Sequence, residues 1–413
     1  MTGGEAHARF EARVAIEALR AGVPNRAAIR LLGDGEDAIE AAFDRGLDAS
    51  DQPEPGRQEP GLLVAGGFGT GKSHLLGYLR EVALQRNFVV STVTISKETP
   101  LGTPRFVFAA ALRNSLVPGR NDDAITVALG EVQRIQGAVQ RLELWASTPE
   151  AGLAPVFAAI LHLLNRQLDP ELQRGIETFL AGGKLPLSLL RKALSQGGAR
   201  GMFDLRVASE VQLLLQRQRF LPALFRAAGF AGWCVLLDEI ELIGRYGPLQ
   251  RALAYAELAR WLGLDAESRV AGLFVAGAIT DDFSQAVIQT RQDDEKLPER
   301  LRLKGLPRQA EQALTAMRAI EQARLLAPPD GDSLLRHAAR LQDTYGRAYG
   351  WTAPTLAPPV RQANRTLRHH IRGWIAQWDV LRLEGQRAET DIIAQAASYE
   401  ENNELATPPD DED

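Results

Sequence analysis

Leu62-Leu-Val-Ala65 running straight into Gly66-Gly67-Phe68-Gly69-Thr70-Gly71-Lys72-Ser73 is the stretch on which the fold turns. Four apolar residues with no alternation read as a strand buried on both faces. Beyond the glycines, Leu75, Leu76, Leu79, Val82 and Ala83 recur at helical spacing. Between strand and helix the residues match G-x-x-x-x-G-K-[ST] in full. Glycines at these places let the backbone turn so that successive N–H groups point at phosphate oxygens, where a Cβ would obstruct the turn. The N-terminus of the following helix adds about half a positive charge.

Each remaining residue of the loop has a chemical task. Lys72 supplies a mobile cation for β- and γ-phosphates, and Ser73 supplies a hydroxyl for Mg²⁺. The phosphate-facing set is Gly66, Gly67, Phe68, Gly69, Thr70, Gly71, Lys72, Ser73 and the next helical residue, His74. The expected ligands are ATP and Mg²⁺. The competing reading is a glycine-rich strand-to-helix turn with an incidental lysine.

Working outward, three more apolar runs read as strands, at residues 88–95, 233–237 and 270–279. Helical patterns separate them, which predicts an α/β fold with a parallel sheet. The second and third runs lie far apart, and residues 104–229 read as a large helical insertion. Residues 61–308 then form one unit. Before it come a helical segment, 1–48, and a polar, proline-rich linker, 49–60, unsuited to a helix or a central strand. After it come a C-terminal helical region, 309–398, and an acidic tail, 399–413. Helices are expected from residue 309 to about 326, then to about 342, then from about 359 to 399, with a loop over 345–359.

The run Trp233-Cys-Val-Leu-Leu237 ends in Asp238-Glu239. Parallel strands deliver functional residues at their carboxyl ends. An Asp there can hold magnesium, and a following Glu can polarise water for attack on a γ-phosphate; capping by solvated acids is the alternative. The fourth run ends at Thr280-Asp281-Asp282, and Thr280 is the candidate to touch the γ-phosphate or the attacking water, against a simple helix cap. Arg300, or Arg302, could face a nucleotide on a neighbouring subunit; a solvated face is the alternative.

Bulk composition excludes rather than identifies. Apolar residues make 45% and charged residues 24% of 413, the balance of a globular chain. No apolar run reaches membrane-spanning length, and residues 1–13 lack a secretion signal, so a cytoplasmic location without membrane contact is expected. Cys234 is the only cysteine, and an inert buried thiol is expected. The net charge of −5 arises from the tail, where residues 400–413 carry seven acids and no base. The rest is near neutral, neither demanding nor forbidding nucleic acid.

Taken together, the glycine loop, the Asp-Glu strand, the Thr-ended strand and the following arginines resemble the AAA+ class of P-loop NTPases, over roughly residues 60–390. The narrower resemblance is to the ATP-binding proteins of BREX phage-resistance operons, the BrxD family. It is carried by Glu17-Ala-Leu-Arg-Ala-Gly-Val-Pro24, residues 66–73, Ser96-Lys-Glu-Thr-Pro-Leu101 and Leu236-Leu-Asp-Glu-Ile-Glu-Leu242. The resemblance implies an ATPase with a C-terminal helical lid. It also implies protein partners from a defence operon and work on phage DNA; double-stranded DNA and further copies of this chain are candidate partners beside them. A nucleotide-dependent signalling or scaffold protein with little turnover is the alternative function.

The AAA+ pattern also expects a lid arginine, for which Arg361 and Arg365 are candidates. With Arg368 and Arg372 they share one helix face, beside an apolar face of Leu367, Ile371, Trp374, Ile375 and Trp378. Three readings compete for that stripe: a lid arginine reaching ATP, a DNA-backbone contact, or a solvated face. The pair His369-His370 has no acid or cysteine at ligand spacing and is not read as a metal site.

Overall fold

The computed structural model describes residues 3–21, 37–51, 58–165, 169–206, 208–326, 331–356 and 367–385. The lid-arginine candidates Arg361 and Arg365, the acidic tail and residues 52–57 of the proline-rich linker lie outside them.

The helices in chain order are α1 (Gly3–Ala21), α2 (Asp37–Asp51), α3 (Lys72–Gln85), α4 (Pro104–Arg113), α5 (Ala124–Arg134), α6 (Ala138–Ala146), α7 (Pro155–Leu164) and α8 (Pro170–Leu180). They continue with α9 (Leu187–Gln196), α10 (Glu210–Ala227), α11 (Pro248–Trp261), α12 (Asp293–Leu303), α13 (Pro307–Glu321), α14 (Gly331–Tyr349) and α15 (Leu367–Glu384). The strands are β1 (Leu62–Ala65), β2 (Phe88–Thr94), β3 (Ser115–Leu116), β4 (Gly232–Asp238), β5 (Leu273–Ile279) and β6 (Arg324–Leu325). They form one sheet in the order β3-β2-β4-β5-β1-β6, parallel except for the β2–β3 pair.

Both faces of this sheet are covered, which is why its strands read as unbroken apolar runs. Leu62, Val64, Phe88, Val90, Cys234, Leu236, Phe274 and Ala276 point to one face, against α2 and α3. Leu63, Ala65, Val89, Val93, Trp233, Val235, Leu237 and Val275 point to the other, where the helices between β2 and β4 join α11 and α13 in one continuous core. Phe43 of α2 meets Phe274 edge to face at 5.5 Å. Cys234 is buried, and burial pushes its thiol pKa up, in keeping with an inert side chain.

A separate cluster joins the two ends of the chain. Ala15, Ile16 and Leu19 of α1 pack with Leu341 and Tyr345 of α14 and with Trp374, Ile375 and Trp378 of α15. Arg20 forks onto both oxygens of Asp379, at 2.9 Å, and Tyr345 donates to the same carboxylate at 2.7 Å.

Several expected boundaries are corrected. The strand expected over 270–279 begins at Leu273, because Gly272 sits at φ 79° and turns the chain there. The helix expected to reach 326 stops at Glu321, and Arg324-Leu325 pairs with Val64-Ala65 as an edge strand. Inside the region read as helical, Ser115-Leu116 pairs with Val90-Ser91. Two-residue strands are too short to show a period. The loop expected from 345 starts later: α14 runs to Tyr349, held by the Tyr345 ring against Trp378 and Tyr349.

A buried ion pair ties the turn after β4 to the helices beneath it. Arg251 reaches Asp293 at 2.6 and 2.8 Å and the Tyr246 carbonyl at 2.6 Å, and Tyr255 donates to Asp293 at 3.1 Å. Both charged side chains are almost fully buried. Removing one partner strands the other charge in the core. Asp293→Ala is therefore expected to lower stability by roughly 3–5 kcal/mol. Urea unfolding measures this, and an unchanged midpoint would show that the pair contributes nothing.

Candidate functional site

The order of the strands creates the site. From β1 the chain crosses through α3 to β2 on one side, and after β5 it returns to β6 on the other side of β1. Strand order reverses at β1, and a crevice opens outside the carboxyl ends of the strands at such a point. Residues 66–73 lie there. The Gly66 N–H donates to the Ile279 carbonyl at 3.0 Å, joining the loop to the end of β5, where Thr280 follows. Asp238 ends β4, two strand spacings or about 10 Å from β1, and its carbonyl accepts from Ile95 N–H at 2.9 Å.

The loop has the local features its sequence requires. Gly69 and Gly71 adopt φ 78° and 114°, conformations that side chains rarely tolerate. A Cβ on Gly66 would sit 2.8 Å from Thr70 Oγ1. The Thr70 hydroxyl closes the turn by donating to the Gly67 carbonyl at 2.9 Å. Gly71 caps α3 without any side-chain acceptor. The first helical bond runs from Leu75 N–H to Gly71 O at 2.8 Å, so the amides of residues 72–74 have no acceptor within the helix. A helix start of this kind binds anions.

Lys72 is buried, and its ammonium donates to the carbonyls of Gly66 at 2.9 Å and Gly67 at 3.2 Å. It also lies 3.7 Å from Glu241 Oε1. Glu241 has no role in the motifs read from the sequence. It sits on the six-residue 3₁₀ helix Ile240–Arg245 after β4 and is buried, and its Oε2 has no hydrogen-bond partner among the described residues. Burial pushes its pKa up to about 7, opposed by the Lys72 charge. No local sequence signal marks it, since a lone acid in a short turn carries no period.

Glu239 adopts φ 58°, a left-handed conformation uncommon for a residue with a Cβ. Its own N–H donates to the Asp238 carboxylate at 2.9 Å. Such strain, of order 1–3 kcal/mol, is characteristic of functional positions. Gly244, on the same turn, accepts from Arg291 at 2.8 Å. Thr280 is buried. Asp281, which the sequence motifs also leave without a role, comes within 3.8 Å of where a Cβ on Gly67 would stand. The fold thus brings the glycine loop, Asp238, Glu239 and Thr280 to the carboxyl end of the sheet's inner strands. Arg300 is not part of that assembly by any ion pair or hydrogen bond. It is exposed on α12 and makes neither among the described residues, while Arg302 pairs with Glu311 at 2.6 Å.

Glu241 gives the site a pH signature. Its folded pKa, about 7, exceeds the ordinary value of 4.5, so between these values the native state binds the extra proton. Its contribution to stability is therefore fully present below about 4.5 and is lost as pH rises through about 7. Glu241→Gln should flatten the stability profile across that window. Denaturation midpoints at a series of pH values test this, and a wild-type slope retained in the variant would assign it elsewhere.

No curated protein and no solved structure matches the chain. One family model does, and it covers residues 8–136, from α1 through the glycine loop and β2 to the end of α5. By that match the chain is close to the family described as BREX system ATP-binding protein BrxC/D.

Proposed function

We propose that this chain binds and hydrolyses ATP as an AAA+-type P-loop ATPase, and works in a BREX-type phage-defence system with DNA-processing partners. The observation that carries the reading is the junction of two halves of one site. Lys72, at the start of α3, meets Glu241, three residues past the Asp238 that ends β4. The family similarity, to proteins described as ATP-binding, supports ATP as the ligand.

The residues fit that ligand. The helix-start amides and the left-handed glycines form a cradle for phosphate oxygens, with residues 66–74 around it. The Lys72 ammonium is hydrogen-bonded to backbone carbonyls, and exchange of these for phosphate oxygens releases them. Ser73 and Asp238 offer the oxygen donors that a hard divalent cation takes, and magnesium would supply neutralisation of the phosphate charge. Glu239, held in its strained turn beside Asp238, orients the attacking water. Thr280, at the end of the neighbouring strand, is the candidate contact to the γ-phosphate or that water. Arg300, exposed and without an ion pair among the described residues, suits a nucleotide held by another subunit of a homo-oligomer. The role of lid sensor falls to Arg365, and double-stranded DNA and operon proteins are the proposed partners.

The exposure of Arg300 also favours a second reading. If the arginine that completes the charge clamp must come from a neighbour, the isolated chain is a nucleotide-bound switch with little turnover of its own. Phosphate release by wild type, Lys72→Ala and Glu239→Gln, each with and without double-stranded DNA, separates the two. The ATPase reading expects wild-type turnover, loss of at least about 100-fold in each variant, and retained ATP binding by Glu239→Gln. ATP binding without phosphate release under any condition would sink it in favour of the switch.

A further inference from the structure

Glu241 stands beside the glycine loop, yet no step of the proposed hydrolysis uses it. Its side chain is only 7% exposed, and its Oε1 lies 3.7 Å from the Lys72 ammonium. Its Oε2 has no hydrogen-bond partner among the described residues. A buried carboxylate with one oxygen unmet is costly. Packing alone would be served better by an apolar side chain of similar size.

The carboxylate is fixed where it stands. The 3₁₀ helix Ile240–Arg245 that carries it is pinned on both sides of Glu241. Ile240 and Ile243 are fully buried. Ile240 rests on β5, where a Cβ on Gly277 would come within 2.6 Å of its Cδ1. Arg291 donates to the Gly244 carbonyl at 2.8 Å, and Arg251 donates to the Tyr246 carbonyl at 2.6 Å. Lys72, by contrast, carries its charge on a flexible four-carbon stem. Two of its donors go to the Gly66 and Gly67 carbonyls, at 2.9 and 3.2 Å. Glu241 is the one carboxylate within 4 Å of that ammonium among the described residues.

We propose that Glu241 is a positioning residue that acts through Lys72: it competes with nucleotide phosphates for the ammonium and so sets how tightly they bind. The inference rests on the reading of residues 66–73 as a phosphate cradle. When a phosphate takes the ammonium, the carboxylate left behind is buried and without its counter-charge. That cost is subtracted from nucleotide affinity. It also favours release of ADP, because the fixed carboxylate draws Lys72 back, and product release limits turnover in many enzymes.

The test titrates N-methylanthraniloyl-ADP into the full chain and reads Kd by fluorescence anisotropy, in EDTA and again with magnesium. EDTA leaves Lys72 rather than a divalent cation to face the phosphates. The titrations are run at pH 8, above the value of about 7 to which burial pushes the Glu241 pKa. Glu241→Gln, neutral and of the same shape, should tighten binding on the order of tenfold. Glu241→Asp, which keeps the charge, should stay nearer wild type. The gain should vanish in Lys72→Ala, where a buried Glu241 has no cation to hold and takes a proton instead. Thermal unfolding checks each variant; if Glu241→Gln does not fold, Glu241→Met, which removes the charge and leaves no oxygen unmet, takes its place. Equal or weaker binding by the neutral variant, or the same gain in Lys72→Ala, overturns the inference and leaves the nucleotide reading standing. No binding by wild type or any variant in either condition removes the nucleotide reading itself and this inference with it.

Discussion

The structure depends on a parallel sheet that must be buried on both faces. Side chains alternate along each strand: Leu63 and Ala65 enter one core and Leu62 and Val64 the other. Neither face can be left to water, because each is apolar. Helices must therefore cross from one strand to the next above and below. The cover on one face comes from α3 and, from before the glycine loop, α2; on the other it comes from the helices between β2 and β4 together with α11 and α13. The crevice at β1 is the consequence of these crossings passing to opposite sides of the strand where the order reverses. Burial, a non-specific force, thus places chemically specific strand ends side by side.

Charge inside this frame is arranged in two ways. Arg251 and Asp293 are matched fully, with forked geometry and further bonds to Tyr255 and the Tyr246 carbonyl. Such a pair rigidifies the turn that carries Glu239, since Tyr246 closes that turn. Lys72 and Glu241 are matched incompletely, at 3.7 Å and with one carboxylate oxygen lacking a partner. A buried acid in that position is held up in pKa by desolvation. The first pair is closed by forked bonds within the core, whereas the second leaves a carboxylate oxygen without a partner among the described residues, beside the glycine loop.

The ends of the chain follow a different logic. Neither α1 nor the helices α14 and α15 contributes to the two sheet cores. They bury their apolar faces against one another, and Arg20, Asp379, Tyr345 and Tyr349 bond across the contact. The apolar stripe of Ile371, Trp374, Ile375 and Trp378 is used up in this packing, which leaves Arg372 on the exposed side of α15.

Much of the frame was legible in local pattern. Unbroken apolar runs marked the four long strands, and residues 66–73 announced the strand, turn and helix in order, because backbone conformation there admits only glycine at Gly71. Asp238 and Glu239 were legible as a strand end. What local pattern lacks is distance. The pairing of Arg324-Leu325 on β1, the docking of α1 on α14 and α15, and the contact of Glu241 with Lys72 join residues remote in sequence, and two-residue strands or a lone acid carry no period to reveal them. The linear order of residues was enough to mark the four longer strands and the glycine turn that leads from the first of them into a helix, since those follow from local sterics and hydrophobic period. Which charges meet was settled in three dimensions, because electrostatic partnership depends on separation and burial, and both are set by how the helices pack across the sheet.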